Sequence, residues 1–263
     1  MNAARAGAEV LLRYWQQLDR DDADLKGRND WVSRADREGE HAIVEFLRAH
    51  RPDDRFLGEE GGPMAAASGA GSGERVWIID PLDGTTNYLQ HFPVWSVSIG
   101  LRRGGEMTAG VVYEPLRDAM FVAETGSGAW LNDRRLTVSN QQTLDGSFLA
   151  TGFPFRGMQH LDLYTSIFHD VIAVTKGLRR AGSAALDLAY TAAGVFDGFF
   201  EMHLAPWDVA AGSVLVREAG GVVSDFSGGE QFWTHGNIVG AAPGVHAELL
   251  ALIHRHTAEE RLL

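Results

Sequence analysis

Two carboxylates, Asp80 and Asp83, close the apolar run of "RVWIIDPLDGTTNYLQHFP" (residues 75–93), and no Lys or Arg stands among the ten residues that follow. Pro81 biases Asp80 toward extended backbone, which predicts a turn where both side chains converge at the end of a buried strand. Two carboxylates in contact repel, and one of them would have its pKa raised. A hard divalent cation removes that conflict, and an all-oxygen ligand set suits Mg2+ better than zinc. Read alone, the D-x-x-D spacing serves equally well to start a turn or cap a helix. The next residues, "GTTNY", shift the balance. Gly84 lets backbone approach a ligand closely, and the N–H groups of Gly84, Thr85 and Thr86 would cradle an anion if they open a helix. An ordinary threonine N-cap is the plainer alternative. Carboxylates beside an anion-binding turn describe a phosphate held against Mg2+.

These groups need elements to position them. Val76 to Ile79 is a short β-branched run and predicts the buried strand that delivers them. Ala3 to Leu18 reads as an amphipathic helix, with Val10, Leu11 and Trp15 on one face. A second helix lies within "SRADREGEHAIVEFLRAH" (residues 33–50), ended by Pro52. A short strand through Phe56 and Leu57 then delivers "GEEGG". Residues 63–74, rich in Gly, Ala and Ser, predict a mobile loop. Residues 95–132 read as a run of antiparallel strands. Helices are predicted over Leu161 to Thr175, over "SAALDLAYTAAG" and over "PWDVAAGSVLVREAGG", with strands at "VFDGFFEM" and "VVSDF". This order predicts a layered mixed α/β or α+β architecture.

Composition excludes several classes. With 263 residues, 45% of them hydrophobic, the chain can bury a sizeable core. The absence of cysteine rules out disulfides, thiolate catalysis and zinc–thiolate sites. A net charge of −12 argues against a general nucleic-acid-binding surface. No apolar stretch approaches the roughly 20 residues that span a bilayer, and the N-terminus lacks a signal peptide's apolar core, so a cytoplasmic location is expected.

"WIIDPLDGTTNY", with "GEE" upstream, "WDVAAG" downstream and "GSAALDLAYTAAGVFDGFFEM" between, resembles the inositol monophosphatase family of Mg2+-dependent, lithium-sensitive phosphatases. The likeness spans nearly the whole chain. "NYLQHFPVWSVSIG" looks like the inositol monophosphatase branch and "TGFPFR" like its bacterial members, although fructose bisphosphatases and bisphosphate nucleotidases share much of the core. The resemblance implies a layered αβαβα sandwich, usually a homodimer. It forms one unit over residues 1–263, with a metal- and phosphate-binding half at 1–145 and a half at 146–263 that completes the site. It implies two or three Mg2+ ions held by Glu59, Asp80, the carbonyl of Leu82, Asp83 and Asp208. Asp36 and Thr85 would act with Glu59 on the attacking water, and Gly84, Thr85 and Thr86 would bind phosphate. Ser183, Ala184 and Glu201 would contact the substrate's hydroxyls, with second uses of Asp83 and Asp208. Glu60 would have a less direct role, Lys26 matches a flexible basic position, and Asp187 reads as structural. The expected reaction is hydrolysis of inositol monophosphate, or a similar small polyol phosphate, by direct attack of water. Histidinol phosphate, fructose 1,6-bisphosphate and a 3′-phosphoadenosine nucleotide stand as alternative substrates. A regulatory binding protein on the same fold is the alternative from another class.

Overall fold

The structure, a computed structural model, describes residues 1–27, 30–66, 75–155 and 158–257, less the side chains of Arg20, Lys26 and Asp30. Residues 67–74, most of the stretch expected to be mobile, and the side chain of Lys26 thus lie outside the described residues.

Helices α1 (Asn2–Tyr14) and α2 (Arg34–His50) form the outermost layer, with a small ribbon, β1 (Asp24–Gly27) and β2 (Asp30–Val32), between them in sequence. They cover one face of an eight-stranded sheet. Its strands are β3 (Arg55–Gly58), β4 (Gly62–Met64), β5 (Arg75–Asp83), β6 (Ser96–Arg103), β7 (Glu106–Glu114), β8 (Ala119–Glu124), β9 (Gly128–Leu131) and β10 (Arg134–Arg135). They lie in the order β10-β9-β8-β7-β6-β5-β3-β4, antiparallel except where β3 pairs with β5. Short α3 (Thr85–Leu89) follows β5 directly. The second sheet comprises β11 (Phe148–Thr151), β12 (Gly177–Arg179), β13 (Gly198–Glu201), β14 (Val222–Ser224) and β15 (Ile238–Ala241), in the order β12-β11-β13-β15-β14. Helices α5 (Ala184–Ala192) and α6 (Pro206–Glu218) fill the space between the sheets, whereas α4 (Leu161–Val174) and α8 (Pro243–Thr257) cover the outer face of the second. A single turn, α7 (Phe232–His235), precedes β15. The result is the αβαβα sandwich that the resemblance implies.

Small residues set the spacing of these layers. A Cβ at Gly7 would lie 2.7 Å from the Ile43 side chain, so α1 and α2 pack closely. In the central layer every residue from Asp208 to Val216 is buried, as expected of a helix covered by sheets on two sides rather than one with a single apolar stripe. A Cβ at Gly110 would meet the Ala211 carbonyl at 2.5 Å, and one at Gly100 would meet the Ala210 Cβ at 2.6 Å. These missing side chains let α6 lie directly on β6 and β7, which brings its first turn, and Asp208, beside the end of β5.

Helix α1 stops at Tyr14 rather than Leu18. Trp15 turns extended (ψ 127°) and Gln16 takes a left-handed conformation (φ +62°). The turn carries the Trp15 ring onto Tyr88 and Trp95, at centroid distances of 5.1 and 5.3 Å. Among the described residues no helix is long and apolar enough to cross a membrane.

Candidate active site

Strand β5 does not turn at Asp80, as the sequence predicts, but continues to Asp83. Residues three apart in a regular strand face opposite sides. Here the pairing with β6 shifts register between Asp80 and Asp83, around Pro81, which lacks the N–H a regular ladder would use. That bulge re-aims the strand so that both carboxylates enter one pocket. The Leu82 N–H donates to Asp80 Oδ1 at 3.0 Å and steadies the irregular segment. From the other side of the pocket, Asp208 on the first turn of α6 completes a cluster. Asp80, Asp83 and Asp208 each offer an oxygen within 4.8 Å of the others, and all three are buried. An all-carboxylate set of this kind fits a hard divalent cation.

The electrostatics agree with that fit. Burial, followed by the charges of Glu59, Asp83 and Asp208, raises Asp80 well above the usual carboxylate range. Asp83 is pushed up to about 7 by burial and then by Asp208, against the hydrogen bonds it accepts from the Ser183 hydroxyl and from the Ala185 N–H at 2.8 Å. Without a cation the folded chain therefore holds a proton on Asp83 that the unfolded chain loses near pH 4. The contribution of Asp83 to folded stability therefore falls as pH rises from about 4 to about 7 and is level outside that window. In urea unfolding of metal-free protein, wild type should lose about 2–4 kcal/mol relative to Asp83→Asn across this range. A difference that stays constant with pH would show that these carboxylates do not share a dry site.

The remaining positions predicted near the cluster are placed by neighbouring elements. The Glu59 N–H donates to the Ile79 carbonyl at 3.1 Å, continuing the β3–β5 pairing, so Glu59 stands next to Asp80 and lines the pocket. Beneath that turn, Glu40 accepts from the N–H groups of Glu60 and Gly61 at 2.9 and 2.7 Å. Asp36 caps α2, its Oδ2 accepting from the Ser33 N–H (2.8 Å) and hydroxyl (2.6 Å). Its Oδ1 lies 3.0 Å from Thr85 Oγ1, which is also 3.1 Å from the Leu82 carbonyl. Gly84, at φ +99°, opens α3 where a Cβ would come within 3.0 Å of the Val94 carbonyl. Thr85 and Thr86 form the first turn, whose N–H groups have no carbonyl partners inside the helix. Tyr88 anchors the turn, buried between Trp15 and Trp95, with its hydroxyl donating to the Leu11 carbonyl at 2.5 Å.

Ser183, the N-cap of α5, donates its hydroxyl to Asp83, so this side chain positions a carboxylate as well as lining the pocket. Ala184 and Glu201 also line it, the latter at the end of β13 with its carboxylate pressed against the backbone of Gly152. Asp187 is buried, and its Oδ1 has no hydrogen-bond partner among the described residues. Burial, then Glu201 and Asp83, push its pKa well above the ordinary range, which favours the neutral acid. The cavity encloses about 430 Å³ and has further walls that residue spacing did not reveal: Phe153, Phe155, Arg180 and His203. Arg180 sits over both phenylalanine rings, at 5.6 and 5.4 Å. Asn87, within the Gly-Thr-Thr-Asn run, donates to the carbonyls of Val94 (2.7 Å) and Ala181 (2.9 Å), tying α3 to the segment before Ser183.

Three comparisons bear on this arrangement. The sequence model of the inositol monophosphatase family matches residues 1–258. Nus factor SuhB of Pseudomonas aeruginosa is 44% identical over 258 residues, covering 97% of this chain and 94% of that protein. The crystal structure of extragenic suppressor protein SuhB from Bartonella henselae superposes with a TM-score of 0.89 at 41% identity, over 96% of this chain and 95% of that one. For the inositol monophosphatase of Anabaena (Nostoc) the TM-score is 0.85 at 36% identity, with 97% and 93% covered. A buried carboxylate cluster at a bulged strand end, on a sandwich shared throughout its length with these proteins, places the chain in a family: it belongs to the inositol monophosphatases.

Proposed function

We propose that the chain is a Mg2+-dependent phosphomonoesterase that hydrolyses inositol monophosphate, or a similar small polyol phosphate, by direct attack of water. The observation that carries this reading is the convergence of Asp80, Asp83 and Asp208 on one buried point of the pocket. Glu59, Asp80, Asp83, Asp208 and the Leu82 carbonyl would hold two or three ions. Magnesium, when bound, supplies charge neutralisation and Lewis acidity to the phosphate, the water and the departing alkoxide.

The chain's own groups do the rest. Oδ1 of Asp36 accepts the Thr85 hydroxyl hydrogen bond and takes that proton. Thr85 Oγ1 then presents a lone pair to the attacking water, orients it and accepts its proton as attack proceeds. The amides of Gly84, Thr85 and Thr86 meet the phosphoryl oxygens, whose charge shifts in the transition state. Glu201 and the Ser183–Ala184 segment hold the hydroxyls of the alcohol. Inhibition by lithium and a homodimeric state belong to the same proposal.

Phosphate release with Mg2+ should be measured side by side on inositol 1-phosphate, histidinol phosphate, fructose 1,6-bisphosphate and a 3′-phosphoadenosine nucleotide. Fastest turnover of the inositol ester is expected. Preference for another of the four would reassign the substrate, and release from none would refute the enzymatic reading.

A second reading, a binding role beside or in place of catalysis, draws on the name Nus factor carried by relatives in several bacteria. That name gives no support to the expectation, drawn from net charge, of a chain without general nucleic-acid binding. Affinity capture with Asp83→Asn tests it: a defined partner held by a catalytically silent chain supports a binding role, and none leaves the phosphatase reading alone.

A further inference from the structure

One turn after Asp36, on the same face of α2, Glu40 carries a second buried carboxylate. The reaction proposed above makes no use of it. Strands β3 and β4 pair from Gly58 to Gly62, so Glu59, Glu60 and Gly61 form the loop of a tight hairpin. The three N–H groups of that loop have separate acceptors. Glu59 donates to the Ile79 carbonyl at 3.1 Å, Glu60 to Glu40 Oε2 at 2.9 Å and Gly61 to Glu40 Oε1 at 2.7 Å. A Cβ at Gly58 would lie 2.2 Å from Oε2, and one at Gly61 would lie 2.7 Å from Oε1. The loop closes on the carboxylate because both positions are glycine.

Burying a carboxylate is costly, and a hairpin that needed only to turn could close on local hydrogen bonds. Here each oxygen holds one loop amide, which ties the loop that carries Glu59 to α2. The same helix holds other parts of the site. Asp36 Oδ1 lies 3.0 Å from Thr85 Oγ1, and a Cβ on Gly39 would touch Pro81 of the β5 bulge at 3.7 Å. Helix α2 thus sets Thr85, the bulge and the Glu59 hairpin at fixed offsets from one another.

We propose that Glu40 is a positioning residue: through two loop amides it holds Glu59 in register with Asp80 and Thr85, so that Glu59 reaches the metal and the attacking water that Thr85 orients. Glu40 acts through the loop and not on the reacting atoms. The inference rests on the phosphomonoesterase reading and adds a residue to its machinery.

Two variants test it. Glu40→Gln keeps the length and shape of the side chain but accepts only one of the two N–H groups and turns its own NH2 toward the other. Gly61→Ala disturbs the same contact from the loop side and leaves the carboxylate in place. For wild type and both variants the measurements are kcat and KM on inositol 1-phosphate, the dissociation constant of Mn2+ without substrate, and the Tm of metal-free protein. In each variant kcat should fall about 10- to 100-fold and Mn2+ should bind about tenfold more weakly, the range over which residues that orient metal ligands act. KM should stay within about twofold, because the phosphate and hydroxyl contacts are untouched. A carboxylate that only stabilises the fold would lower Tm and leave kcat and Mn2+ affinity within about twofold of wild type; that result in both variants overturns the proposal. A raised KM at constant kcat overturns it too. If wild type releases no phosphate, the phosphatase reading fails, and Mn2+ affinity decides on Glu40 separately: weaker binding in both variants supports the positioning role, and unchanged binding overturns it.

Discussion

Asp83→Asn is expected to lower Mg2+-dependent phosphate release by at least about 10³-fold, on the scale lost with a single preorganised charge-stabilising group. The size of the effect follows from where the charge sits. Asp83 is buried, faces Asp80 and Asp208, and receives the Ser183 hydroxyl and the Ala185 N–H. An amide oxygen can accept those two hydrogen bonds, so the scaffold around position 83 has no reason to collapse. It cannot supply the negative charge that makes the cluster bind a divalent cation. Stability measurements separate the two consequences. Metal-free Asp83→Asn should be at least as stable as wild type at pH 7.5, because one like charge leaves a dry cluster, and Mg2+ should raise its Tm less than it raises that of wild type. Near-normal turnover in the variant would remove Asp83 from the machinery; loss of turnover with loss of folding would point to a structural role.

Thr85→Val should reduce kcat by about 10²-fold, the lower end of what a positioned proton-transfer group contributes. Valine keeps the volume and the branching of threonine but removes the hydroxyl that lies between Asp36 and the Leu82 carbonyl. Asp36 retains its two hydrogen bonds from Ser33, so the cap of α2 survives. Asp36 loses one hydrogen bond, at a cost of about 0.5–1.5 kcal/mol in stability. Thr85→Ser supplies the control: it restores the hydroxyl without the methyl and should recover most of kcat. If the valine and serine variants fall equally, the methyl group matters for packing and the hydroxyl has no part in activating water.

What could be read in advance divides along the range of the interactions. The β-branched run at Val76–Ile79 announces a strand, because that signal is local. The path from Asp80 to Asp83 is not local. Proline predicts extended backbone at the residue before it but says nothing about whether pairing resumes beyond it, as it does here between Asp83 and Ser96. Helix α2 showed its apolar spacing, and the structure starts it at Arg34 behind a Ser33–Asp36 capping box that the sequence reading did not mark. The second sheet was half legible. β13 and β14 read as strands; β11, β12 and β15, no shorter, were not marked as strands, and α8 mixes histidines with its apolar positions. The candidate site shows the same division. Its carboxylates and the Gly84 turn fall within one short motif, with Glu59 and Asp208 assigned by resemblance. Glu40 beneath the Glu59 turn and the Arg180–Phe153–Phe155 wall bring together residues about 20 or more positions apart. No spacing rule marks such pairs until the layers pack.

The most direct test of the shared carboxylate site is anomalous diffraction from crystals of the active protein soaked in Mn2+, an ion of similar charge and ligand preference to Mg2+. Peaks should appear at about 2.0–2.3 Å from oxygens of Asp80, Asp83 and Asp208, and Asp83→Asn crystals treated alike should show weakened or missing density there. Crystals of an enzyme that turns over with Mn2+ but binds the ion elsewhere, with those three carboxylates bare, would contradict the account.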